Sequence, residues 1–360
     1  MRGHRLFSRV ALPSQQQPIR ALSTRRQLSS LRTLLSRHGS ADDDADIVDL
    51  AFSRHDPPEK SSTKGPGPVI IMHGLFGSQR NNRTMTDHLH FLLRRTLAKD
   101  LSRPVYNLDL RNHGDSPHAS THTYCAMARD VEHFVARHGI RNPTLIGHSM
   151  GAKVAMTLAL RRPSQYSAVI PVDNAPVDAA LASDFSKYVR AMREIEEHRP
   201  PLKTQKEADA ILQKYEPELA IRQFLLTNLV KKTQTHPAGG NAGGAGGHGS
   251  SPDSERPQPQ PQPRTQLGFR IPVATLAKNL GHMADFSFKD PEASQYKGPT
   301  LVVRGTKSHY VADESLPVVG AFFPRFELLD VDCGHWVMSE RFEEFRRGVG
   351  EFVTRVVDEQ

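Results

Sequence analysis

Hydrophobic positions along the chain fall into short continuous runs separated by helical stripes. Val69-Ile70-Ile71-Met72, after Pro68, is one such run, and Val105 to Leu108, Thr144 to Gly147 and Ala168 to Val172 read as further strands. An unbroken apolar run of this length suits a strand buried on both faces, because neither face then needs polar side chains. Between the runs, apolar residues recur at helical spacing: Leu89, Leu92, Leu93 and Leu97 within 85–99, then Met127, Val131, Phe134 and Val135 within 123–138. Met150 to Leu160 reads as a third helix, complemented at its C-terminus by Arg161 and Arg162 and stopped by Pro163. Ile47 to Ser53 reads as a short first strand. Strands alternating with helices at this spacing predict βαβ units and a parallel sheet.

The rhythm then breaks. Residues 177–232 read as wholly helical, with Tyr188, Met192 and Ile195 on one stripe and Phe224, Leu225 and Leu229 on another. Strands return at Thr300 to Val303 and Phe326 to Val331, and a last helix is expected over 339–356. Between helices and returning strands lies 236–266, a run of Gly and Ala followed by Pro257-Gln-Pro-Gln-Pro-Gln-Pro263. It has almost no apolar surface to bury and is expected to be a disordered insertion in a surface loop. The expected organisation is an α/β core over 41–176 and 291–360, its mostly parallel sheet flanked by helices. A helical cap over 177–290, carrying the insertion, follows the strand that ends at Asp173.

Charge alters this picture only at the N-terminus. The 360-residue chain carries a net +8, which invites a nucleic-acid or membrane-surface reading. Yet residues 1–40 hold eight arginines and no Lys, Asp or Glu, so the remainder balances at 39 basic against 39 acidic side chains. An Arg-rich, Ser-rich, acid-free leader with scattered apolar residues has the composition of a mitochondrial transit peptide, drawn inward by a negative-inside potential. The mature chain is expected to begin near residues 28–41, and the matrix is the expected compartment. The balanced body removes the nucleic-acid reading. Two cysteines, Cys125 and Cys333, cannot build a disulfide framework or a Cys-based zinc site, and no apolar run approaches the roughly 18 residues of a membrane span.

The chemistry gathers where strands end. Gly147-His148-Ser149-Met150-Gly151 matches G-x-S-x-G between a predicted strand and a predicted helix, the context that makes it a nucleophile elbow. The sharp turn strains the central residue, and Gly147 and Gly151 remove side chains that would collide. Ser149 is then presented at the carboxyl edge of the sheet, above a helix N-terminus that favours developing negative charge. A hydroxyl nucleophile needs a base. His335, in Cys333-Gly334-His335-Trp336 between the last strand and last helix, occupies the place that the chain order Ser, acid, His requires. His113 and His148 are the competitors; the His148 side chain is expected to point away from the nucleophile. The carboxylate that holds the base has two candidates. Asp173, at the end of the strand after Ser149, is preferred to Asp313, because Arg304 to Ser308 offers no carboxylate where many such chains place one. His73-Gly74-Leu75-Phe76 follows the first buried strand, where an oxyanion-binding loop belongs, so the N–H groups of Leu75 and Met150 are the expected donors.

These segments resemble the α/β-hydrolase superfamily. They are most similar to the mitochondrial branch that includes YbfF-type bacterial esterases, their animal mitochondrial homologues and the fungal ethanol acetyltransferases. HGLFGS at 73–78, DLRNHGDSPH at 109–118, GHSMGAK at 147–153, VDNAPV at 172–177 and GHW at 334–336 carry the resemblance, which spans about 66–355 outside the insertion. It implies an α/β-hydrolase fold, Ser149 as nucleophile, Asp173 as acid, His335 as base and Leu75 and Met150 as oxyanion donors, with no cofactor and no metal. A serine at the elbow sets the chain apart from dehalogenases and epoxide hydrolases of this architecture, which use Asp there. The expected activity is hydrolysis of carboxylic esters or thioesters through an acyl-Ser149 intermediate, or ester formation from an acyl donor such as acetyl-CoA and an alcohol. The competing expectation is a non-catalytic partner protein of mitochondrial complexes that keeps only the fold.

Overall fold

The computed structural model describes residues 46–58, 67–79, 95–178, 183–234 and 264–358. Seven strands form the central sheet: β1 (Phe52–His55), β2 (Val69–Met72), β3 (Val105–Leu108), β4 (Thr144–His148), β5 (Ala168–Val172), β8 (Thr300–Gly305) and β9 (Phe326–Val331). Their order is β1-β3-β2-β4-β5-β8-β9. Only β1 runs antiparallel to its neighbour, pairing Phe52 with Leu108 through His55 with Val105. Strands β2 to β5 are buried throughout, as expected of parallel strands covered on both faces. Alternate residues still divide between two cores. Ile70 and Met72 face the layer that includes Met127, Val154 and the cap, whereas Val69 and Ile71 face Leu97, Phe345 and Phe352.

Helices α1 (Tyr124–Arg137) and α2 (Met150–Arg161) cover one face. Thr123 caps α1 by accepting from the Ala126 N–H at 3.2 Å. Helix α2 is buried from Met150 to Leu160, because the sheet lies beneath it and the cap above. The chain leaves the sheet after β5 and returns at β8. Its described residues in between form α3 (Ser183–Glu197), α4 (Gln205–Leu212), α5 (Leu219–Leu226) and α6 (Val273–Ala284), with an antiparallel hairpin of β6 (Leu229–Gln234) and β7 (Arg264–Phe269) between α5 and α6. Lys153 of α2 pins this cap to the core. Its buried ammonium donates to the carbonyls of Ala284 and Asp285 (3.1 and 3.0 Å), at the negative end of α6. Burial pulls that ammonium down to about 8. Three shorter or terminal helices, α7 (Leu316–Phe322), α8 (Val337–Glu340) and α9 (Phe342–Val353), complete the core, and the last runs into a π-helical turn at Thr354–Asp358.

Four sequence expectations need correction. The first strand lies at 52–55 rather than 47–53, because the Val48 N–H donates to the Asp130 carboxylate (2.8 Å) instead of to a neighbouring strand. Residues 177–232 are not wholly helical: 229–232 belong to β6, whose partner lies beyond the low-complexity run and is invisible to local periodicity. For the same reason 264–266, expected to be disordered, are part of β7, while 236–263 lie outside the described residues. The last helix is two, broken at Arg341, whose N–H closes the first by donating to the Val337 carbonyl. The transit-peptide expectation at 1–40 and the leucine stripe at Leu89, Leu92 and Leu93 also lie outside the described residues. Among the described residues no helix is long and apolar enough to cross a membrane.

Candidate active site

The site is built on strand ends. Ser149 follows β4 with φ 52° and ψ −111°, a backbone state that side chains rarely adopt. Such strain costs on the order of 1–3 kcal/mol and needs an over-determined frame. Two glycines and one strand supply it. A Cβ on Gly147 would stand 2.0 Å from the Gly151 carbonyl oxygen, and one on Gly151 would stand 2.4 Å from that of Met72. The Ser149 N–H meanwhile donates to the Val172 carbonyl of β5 at 2.9 Å. Asp173 ends β5 in the same way, at φ 52°, its N–H donating to the Val303 carbonyl of β8 at 2.8 Å.

The structure brings Asp173 and His335 together. The His335 Nδ1–H donates to Asp173 Oδ2 at 2.6 Å. The carboxylate is fully buried and collects two further donors, the Ser308 hydroxyl on Oδ2 (2.5 Å) and the Gly305 N–H on Oδ1 (3.0 Å). Such donors fix the orientation of the carboxylate against the imidazole. Tyr310 stacks on the imidazole, with ring centroids 4.1 Å apart. Asp313 is elsewhere: its carboxylate is exposed and ion-paired with Arg304. The loop after β8 therefore brings a hydroxyl, Ser308, to a carboxylate supplied from the end of the adjacent strand β5. Ser308 and Tyr310 were not singled out from the sequence. The one available signal was the position of that loop after a strand end, since neither residue type is diagnostic.

Ser149 and His335 line one cavity of about 120 Å³, together with Leu75 and cap residues that include Phe185, Tyr188 and Phe224. Its lining is mainly aromatic and aliphatic, so it suits an acyl chain better than a charged group. His148 lines it too, contrary to the expectation that its side chain points away. Its Nε2–H donates to the His335 carbonyl at 2.8 Å, and its ring lies 5.8 Å from that of Trp336. A second, smaller cavity adjoins, lined by His73, Ser78 and Ser339, with Gly74, His148, Phe224 and Trp336 shared between the two.

Leu75, in the loop after β2, and Met150, at the start of α2, are the expected oxyanion donors. Met150 is the first residue of α2, where backbone N–H groups have no partner within the helix. Leu75 lies in a turn whose next residue, Phe76, has φ 64°. His113 holds that turn: its Nε2 accepts from the Phe76 N–H at 3.0 Å and its Nδ1–H donates to the Arg111 carbonyl. This assignment needs a neutral ring. Burial, with His73 and His122 nearby, keeps the His113 pKa well below the usual imidazole value. His73, the first residue of the loop, accepts from the Leu110 N–H at Nε2 and donates from Nδ1 to the Gly74 carbonyl, and burial lowers its pKa as well. The histidines expected to compete with His335 thus serve as props. Among the described residues no group of three His, Cys, Asp or Glu side chains is arranged to hold a metal ion. Cys333 is buried, and desolvation pushes its thiol up to about 12, far from a reactive thiolate.

Comparison with known proteins follows the same outline. The model of the alpha/beta hydrolase fold family matches residues 67–342. A probable alcohol acetyltransferase of Saccharomyces cerevisiae is 40% identical over 298 residues, covering 81% of this chain and 78% of the relative. An sn-1-specific diacylglycerol lipase ABHD11 of Xenopus laevis is 32% identical, covering 85% and 84%. Among solved structures, a marine microorganism esterase superposes with a TM-score of 0.64 at 25% identity, covering 85% of this chain and 99% of its own. With the elbow, the sheet order and the family match in agreement, the chain belongs to the alpha/beta hydrolase fold family.

Proposed function

We propose that the protein is a serine enzyme acting on carboxylic esters or thioesters, with Ser149, His335 and Asp173 as its catalytic residues. Ser149 attacks the acyl carbonyl while His335 Nε2 takes its proton. Asp173 holds Nδ1–H and stabilises the imidazolium that forms. The Leu75 and Met150 N–H groups hold the oxyanion as it develops. His335 then returns the proton to the departing alcohol or thiol, leaving an acyl-Ser149 ester in the apolar cavity. A second nucleophile, deprotonated by the same imidazole, releases the acyl group. Water gives an acid, and an alcohol gives a new ester. The observation that carries this reading is the 2.6 Å contact from His335 Nδ1 to Asp173, made beside a Ser149 held at φ 52°.

The relative named alcohol acetyltransferase supports acetyl transfer to an alcohol, for which we propose acetyl-CoA as the donor, while the relative named lipase supports water as acceptor. Acetate and ethyl acetate measured side by side, from acetyl-CoA with increasing ethanol, decide between them. The transfer reading predicts ester at the expense of acetate; acetate alone, at every ethanol concentration, removes it. A fluorophosphonate probe is expected to label the wild type and not Ser149→Ala, and equal labelling of both removes the catalytic assignment. We also propose that residues 1–40 direct the chain to the mitochondrial matrix, supported by their eight arginines and lack of acidic residues. N-terminal sequencing of the native protein should find a start near residues 28–41, and an intact Met1 would contradict import with cleavage.

A further inference from the structure

A chain of hydrogen bonds runs from the cap to the peptide that presents the Leu75 N–H. It begins at Asn228, a buried residue between α5 and β6. The Asn228 carbonyl accepts from the Arg270 N–H at 2.7 Å, so the two ends of the hairpin meet at this residue. Its side-chain Nδ2–H crosses to the core and donates to the Phe76 carbonyl at 2.8 Å. The peptide unit of that carbonyl carries the Gly77 N–H, which donates to the Gly74 carbonyl at 2.9 Å. The unit of the Gly74 carbonyl in turn carries the Leu75 N–H. Two peptide planes are therefore aligned in series behind the oxyanion donor, and each hydrogen bond in such a series polarises the next.

We propose that Asn228 is a positioning residue for the oxyanion site, through which the root of the cap hairpin fixes and polarises the Leu75 N–H. The inference rests on the reading above that Leu75 N–H holds the oxyanion. Without the Asn228 amide, the Phe76 carbonyl loses its cap partner, and the left-handed Phe76 keeps only the His113 contact, the Gly77–Gly74 turn bond and the packing of its ring. The Leu75 N–H would then be free to rotate from the line on which charge develops. Leu75 lines the apolar cavity, but its N–H acts on the oxyanion that develops during reaction, so the loss should fall mainly on the chemical step.

The test is steady-state kinetics of Asn228→Ala and Asn228→Asp in the full chain with an activated ester. Rates are counted per site titrated to completion by fluorophosphonate. Misfolded protein lowers the titre and leaves the rate per site unaffected, so low yield does not obscure the result. Loss of a whole oxyanion donor costs about 100- to 1,000-fold in kcat, and a misplaced donor is expected to cost about 10- to 100-fold, with KM within about threefold. Asn228→Asp adds a readout that a merely structural role would not move. Its carboxylate cannot donate to the Phe76 carbonyl but its protonated carboxyl can, so its deficit relative to wild type should narrow as pH falls from about 8 to about 5.5. A kcat per titrated site within twofold of wild type in both variants overturns the proposal, as does an Asn228→Asp deficit that stays constant with pH. Failure of the serine-enzyme reading is separate, because it would appear as a wild type that the fluorophosphonate does not label.

Discussion

The active site contains two left-handed turns, and they are held in different ways. Ser149 at φ 52° is held locally: Gly147 and Gly151 approach backbone too closely for any side chain at those positions, and the adjacent strand takes the Ser149 N–H. Phe76 at φ 64° is held remotely, by His113 from a loop after β3 and Asn228 from the cap. In the proposed mechanism the first turn places the nucleophile and the second the oxyanion donor. Steric exclusion tolerates no substitution, whereas buried hydrogen bonds can be weakened one at a time. The nucleophile turn should therefore fail abruptly and the oxyanion turn by degrees.

The comparison breaks most severely at the nucleophile itself. Ser149→Ala should reduce kcat by about a millionfold, and Asp173→Asn by about ten-thousandfold while leaving thermal stability near wild type. Stopped assays with purified variants check both, and an Asp173→Asn enzyme at more than a tenth of wild-type rate would remove that carboxylate from the mechanism. Gly147→Ala should next yield little active-site titre, because its methyl would stand 2.0 Å from a backbone oxygen that cannot withdraw. Full titre in that variant would show that the elbow has room to relax.

A milder test loads the oxyanion turn with acid. Burial keeps the pKa values of His73, His113 and His122 low in the folded protein, that of His122 at about 3, while an unfolded chain titrates near the usual imidazole value. Below about pH 6.5 the unfolded chain binds protons that the folded one refuses, so stability present at neutral pH is lost as pH falls. Each histidine should remove about 1.4 kcal/mol per pH unit once the unfolded ring is fully protonated. Denaturant titrations at about pH 7, 6 and 5 should show this slope, reduced in a His122→Asn variant. An identical slope in that variant would remove His122 from the account. The smallest effect is expected at Asp313, where Asp313→Asn breaks an exposed ion pair with Arg304 and should leave kcat within about twofold.

The same contrast explains what was legible in the sequence. Strands β2 to β5 and the Ser149 elbow are specified by neighbours a few positions away, so periodicity and glycine spacing reveal them. His335 could be placed because it follows a strand end in chain order, and Asp173 because the loop after β8 offered no carboxylate. The supports of the site have no such local mark. Ser308, Tyr310 and Asn228 act across 135, 25 and 152 positions respectively, through side chains common on any surface. His148 adjoins the nucleophile, yet its orientation depends on a carbonyl 187 residues away. Strands β6 and β7 were hidden because each pairs with a segment on the far side of a Gly- and Pro-rich run.

The central claim is that Ser149 becomes transiently acylated. Intact-protein mass spectrometry after rapid mixing with acetyl-CoA or an activated acetate ester measures this directly. The account predicts one acetyl group on the wild type, located by peptide mapping at Ser149, absent from Ser149→Ala and discharged faster when ethanol is present. Turnover that persists in Ser149→Ala, or an acetyl group mapped to another residue during turnover, would contradict it.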